Sequence, residues 1–180
     1  MTIYRSASAP AGAPSVPAGL PVVGVSRRHR DLAEADHWIR SLDPAPLMAC
    51  THLVREPFPH VAVSLVDASS ALSGVIETQP ALQAAADLAA VSTSGRAVIF
   101  PGAENLVGTL RVADVLALSA IERIEVLGGE VAAPEMLLET HDFVRPQYRA
   151  GQLILTAMPS AGGRLVPFET RNPTPCCAAH

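Results

Sequence analysis

Apolar and polar positions change period several times along this chain. Residues 61–66 and 96–100 are apolar with hardly a break, and residues 121–127 carry Ile, Val and Leu interrupted by Glu122, Arg123 and Glu125. Short runs of this kind read as strands covered on both faces. Residues 21–25 form a shorter run that fits a first strand. Elsewhere the repeat lengthens. Leu32, Ala35, Ile39 and Leu42 recur at helical spacing behind Ser26, an N-cap residue type, so a helix is predicted over about 26–42, ended by Pro44 and Pro46. Pro80 sits where a first helical turn tolerates proline, with Thr78 or Gln79 as cap and Leu82, Ala85, Ala86 and Leu88 as the inner face. Residues 109–119 predict a third helix.

Residues 95–129 therefore read as strand, turn-rich loop, helix and strand. That is a βαβ unit, and the rest of the chain is arranged around it. Residues 47–55 fit a helix or an edge strand equally, and a helical turn is predicted over 135–139. Beyond it, 143–148, 152–158 and 164–168 predict three strands joined by short turns, which makes them antiparallel neighbours. Pro146 and Pro167 each lack a ladder donor and point to edges or bulges. The expected fold is α/β: a mainly parallel sheet with flanking helices, C-terminal antiparallel strands and a disordered N-terminal tail. Its divisions are an Ala/Pro-rich tail over 1–19, one α/β domain over 20–169, and an extended tail over 170–180 that carries a Cys-Cys pair.

Composition narrows the partners. All 13 basic residues are arginine, and the net charge is −4. That balance makes nucleic acid an unlikely partner, because a nucleic-acid footprint needs a basic excess on one face. No run approaches the roughly 18 apolar residues of a membrane span, so no membrane partner is expected. Three cysteines make no disulfide framework, and a cytoplasmic location is the expectation. The apolar share of 49% leaves area for a homo-oligomer contact, with the strands after residue 150 as its candidate surface.

Two constellations carry candidate chemistry. A mainly parallel sheet gathers its loops at the carboxyl ends of its strands, and ligands sit there. That crevice would collect Ser26, Arg27 and Arg28 as an anion-binding helix start, Asp67 and Ser69, Glu104 and Asn105, and Gly128 and Gly129 beside Glu130. Its ligand would be a small anion, and Asp67, Glu104 and Glu130 could hold a cation or move a proton. The plainer account is that Asp, Ser and Gly are turn formers at the polar end of any such domain. The second constellation is Cys50 and His52 with Cys176, Cys177 and His180, donor types that zinc or iron takes. Against it, the spacing matches no standard ligand pattern, and Cys50 alone reads as a small buried hydrophobe. Phosphate fingerprints are lacking: there is no G-x-G-x-x-G after a strand, no lysine for a P-loop, and no G-x-S-x-G.

Three functional readings follow. The first is a small-molecule or anion-binding α/β domain that uses the strand-end loops. The second is a non-enzymatic interaction or oligomerisation module. The third is a Cys/His metal-binding protein. The residues name neither a substrate nor a reaction, and a catalytic set is left unknown.

Overall fold

The computed structural model describes residues 13–15, 17, 19–67, 79–91, 94–149 and 151–171. In chain order these form β1 (Val22–His29), α1 (Leu32–Arg40), β2 (Met48–Val54), β3 (His60–Val66), α2 (Pro80–Ala90), β4 (Gly95–Ile99), β5 (Thr109–Arg111), α3 (Val112–Leu118), β6 (Arg123–Val126), β7 (Leu137–Glu139), β8 (Gln147–Arg149), β9 (Gln152–Ser160) and β10 (Arg164–Pro167). The strands join one sheet in the order β1-β3-β2-β4-β8-β9-β10-β7-β5, with β6 attached to β9 off that path.

The sheet corrects the expected fold class. Only β6–β9 and β7–β10 run parallel; every other pairing is antiparallel. The physical reason lies in what an apolar run encodes. It reports cover on both faces and says nothing about the direction of the neighbouring strand. β1, α1 and β2 do form a crossover, but β3 inserts between the two strands and pairs antiparallel with each. The unit over 95–129 is split in the same way, since β8 and β9 lie between β4 and β6. Two isolated parallel pairs do not make a run of parallel neighbours, so the expected common rim of carboxyl ends is not formed.

Local corrections have causes of their own. The strand expected to stop at residue 25 continues to His29, so Ser26 is a buried strand residue and caps no helix. Asp31 caps α1 instead: it accepts from Glu34 N at 2.9 Å, while Glu34 accepts from Arg30 N at 2.9 Å, a return bond that reaches one residue before the cap. Residues 47–55 contain β2, an interior strand between β3 and β4. Of the helical turn expected over 135–139, residues 137–139 are strand β7, and of residues 143–148 only the last two belong to a strand. The segment around residue 75 and the tails over 1–12 and 172–180 lie outside the described residues.

Two apolar clusters fill the interior. In the first, α1 lays Ala35 and Ile39 on Val25, Ala49, Val61, Val63 and Leu65. A fully buried Ile39 contributes roughly 2–3 kcal/mol of transfer free energy. The second joins α3 to the strands after β4, with Phe100, Ile121, Ile124, Leu138, Leu153, Leu155 and Leu165 among its members. α2 covers the opposite face of β1, where Gly24 meets the helix backbone at Ala86.

Candidate functional site

A cavity of about 860 Å³ opens beside α1. Leu32, Ala33, Asp36, His37 and Arg40 of α1 form one wall, and Arg96 of β4 lies behind them. Phe143 and Arg145, Gln147 and Arg149 of β8, Thr156 of β9, Leu127 and residues 168–171 line the rest of it. Helical spacing explains the α1 wall: residues 32, 33, 36, 37 and 40 share one face. Asp36 falls beside Ala35 and Ile39 on the buried side of that helix.

Five arginines and two carboxylates line this space, whereas the whole chain carries an excess of acids. Asp36, buried, is the hub. It accepts from Arg96 Nη1 at 2.8 Å and Nη2 at 3.3 Å, and lies 3.6 Å from Arg40 and 3.5 Å from Arg145. Glu169 accepts from the other edge of Arg96. These carboxylates hold the Arg96 guanidinium charged and raise its pKa against the opposing effect of burial. Paired charges of this kind offset their desolvation only when their donors are well used. Arg96 meets that condition.

Arg145 does not. Its residue is only 8% exposed, and its guanidinium lies 4.4 Å from the Phe143 ring centre. Nη1 donates to Val144 O at 3.1 Å and Nη2 to Asp36 at 3.5 Å, while Nε has no partner among the described residues. Two long or local bonds on a five-donor group leave a buried cation under-satisfied, which costs free energy unless something else approaches it. Also in the lining, Arg149 donates to Glu125 at 2.9 Å and to Thr156 at 2.6 Å, and Arg171 donates to Asp142 O at 3.0 Å.

The residues expected at a strand-end crevice lie elsewhere. Arg27 and Arg28 are exposed near the end of β1, Arg28 within a bulge at a φ of 59° and Arg27 over the Trp38 ring at 5.3 Å. Asp67 N donates to Pro21 O at the opposite end of β1. Five residues of strand separate Arg27 from Val22, roughly 17 Å at strand rise, so Arg27 and Asp67 do not converge. Glu104 and Asn105 occupy a 3-10 turn docked on the end of α3, where Asn105 donates to Leu118 O at 3.1 Å. Gly128 and Gly129 take positive φ in the turn after β6, and Glu130 O accepts from Val126 N there. None of these residues lines the cavity, and Ser69 lies outside the described residues.

Cys50 and His52 share one face of β2, as alternate strand residues must. Burial pushes the Cys50 thiol up to about 12, so at neutral pH it is a protonated thiol and a poor metal ligand or nucleophile. Ser64 Oγ meets His52 Nε2 at 2.8 Å. Among the described residues no group of three or more His, Cys, Asp or Glu side chains is placed to hold a metal; Cys176, Cys177 and His180 lie outside them.

Burial also drives His52 down from 6.5 to about 4, and it lowers His29 in the same direction. The unfolded chain then carries a proton below about pH 6.5 that the folded chain refuses. Stability should therefore fall as pH drops from 6.5 to about 4, by roughly 3 kcal/mol for His52, and this contribution is constant above and below that window. Urea unfolding of the wild type and His52→Gln across this range checks the sign. A difference between them that does not change with pH would remove His52 from the account.

The network carried a faint sequence signal: Asp36 sits in an apolar helical stripe, Arg96 opens the apolar run 96–100, and Arg145 follows Phe143 and Val144. No helix among the described residues is long and apolar enough to cross a membrane. In comparisons with known proteins, no family model, no curated protein and no solved structure matches this chain.

Proposed function

We propose that this protein binds a small anion in the arginine-lined cavity between α1, β8 and residues 168–171. The reading keeps anion recognition as the function and moves it from the strand ends to the flank of α1. One observation carries it: a guanidinium more than nine-tenths buried, on the wall of a cavity of about 860 Å³, with Nε unpartnered among the described residues and only a neighbouring carbonyl and a 3.5 Å carboxylate contact on its other nitrogens. Cavities of roughly 300–1,000 Å³ with a few convergent polar groups are the usual form of small-ligand sites. Arginine supplies a planar fork suited to carboxylate and phosphate, and the surplus of arginines over carboxylates favours an incoming negative charge.

Calorimetric titration with acetate, benzoate and inorganic phosphate tests the reading. At least one should bind, and Arg145→Met should weaken that binding tenfold or more, since truncating a buried charge partner costs about 2–5 kcal/mol. Arg111→Met is the control, because Arg111 is exposed, pairs with Asp114 and lies away from the cavity. Equal binding by wild type and Arg145→Met would overturn the proposal, as would no binding of any of the three at millimolar concentration.

A further inference from the structure

We infer that the ligand is an organic carboxylate with an apolar body, its head on Arg145 and its body against Leu127 and Phe168. This rests on the anion reading above and specifies the chemical class. The head follows from what the cavity already holds. Both carboxylates in it, Asp36 and Glu169, are seated on a guanidinium edge, so planar carboxylate geometry fits the forks of this wall. Those two groups take four of the five N–H donors of Arg96. Arg145 is the buried arginine of the wall with donors to spare, which makes it the anchor for a third carboxylate.

The body follows from the rest of the lining. Leu127 is 58% exposed and Phe168 is 54% exposed, and both border the cavity. Phe143 continues this apolar wall, with Arg145 and Arg171 both stacked on its ring. A bare inorganic anion would leave this surface wet and most of the volume unfilled. An aryl or alkyl group attached to the carboxylate would cover it, and removing apolar surface from water is the main source of affinity in such sites.

The test compares acetate, 4-phenylbutyrate and 4-phenylbutyl phosphate by calorimetry on the full chain. Phenylbutyrate should bind at least tenfold tighter than acetate and at least as tightly as the phosphate. The double variant Leu127→Ser, Phe168→Ser should lose the preference for the longer acid. Both side chains are more than half exposed, so the fold does not depend on them, and circular dichroism verifies it. Three results overturn the inference: no gain of phenylbutyrate over acetate, a gain that survives the double variant, or tenfold tighter binding of the phosphate. In each of these, Arg145-dependent binding of any anion leaves the broader reading standing. Failure of every anion to bind removes both.

Discussion

Asp36→Ala should destabilise the protein by about 3–5 kcal/mol, the range for removing one partner of a buried ion pair. At this chain length that corresponds to a fall in Tm of about 10 °C. The size of the effect comes from the number of cations that share one carboxylate. Arg96 would keep Glu169, and Arg40 is half exposed and would turn to water. Arg145 would keep only the Val144 carbonyl. A buried guanidinium with a single backbone acceptor has lost its solvation without replacement. Replacing both partners separates charge from shape: Asp36→Leu with Arg145→Met should cost less than Asp36→Ala alone, because no unpaired charge is left behind. Urea unfolding of the three chains decides the matter. A loss below about 1 kcal/mol for Asp36→Ala would mean that the network behaves like a solvated surface cluster.

Gly24→Ala should cost about 3 kcal/mol or more, at the upper end for added atoms in a packed interior. A Cβ at Gly24 would stand 2.2 Å from Ala86 O and 2.4 Å from its carbonyl carbon. Those are main-chain atoms of α2, so no side chain can rotate away. Either the helix lifts from β1 or the strand bends. The contact is further fixed by Gln83, whose side-chain amide donates to Gly24 O at 2.9 Å. Val22→Ala, on the same strand and 47% exposed, is the comparison and should change stability by no more than about 0.5 kcal/mol. Comparable losses for the two variants would show that α2 does not press on β1.

Much of the local structure was legible in the residues. The apolar runs at 61–66 and 96–100 are β3 and β4 within a residue, and the last two predicted strands match β9 and β10 closely. α2 begins at Pro80 with Gln79 as its cap. Pairing was not legible. Whether β3 lies beside β2 alone or between β1 and β2 depends on contacts across the whole chain, and no periodicity within β3 encodes it. The misplaced strand end at residue 26 has a more local origin. Serine is a good cap residue and also an ordinary strand residue, and the true cap, Asp31, stood five residues on with Glu34 as its partner.

The cavity escaped the sequence for a related reason. Its lining comes from α1, β4, β8, β9, Leu127 after β6, Phe143 and Arg145 before β8 and the residues after β10, and only the mixed sheet brings them together. A buried aspartate in an apolar stripe could have been flagged, since such a residue needs a cationic partner. Which of the 13 arginines supplied it was a question of topology.

The attachment of β6 has a consequence for the order in which the protein can assemble. Its one ladder partner among the described strands is β9, which follows more than two dozen residues later. As the nascent chain leaves the ribosome, β1 to β3 can zip up at once, but Ile124 must wait for Leu153 and Leu155 to emerge. Over that interval an unpaired strand backbone and the Ile124 side chain are open to wrong neighbours, the state in which new chains are most prone to clump.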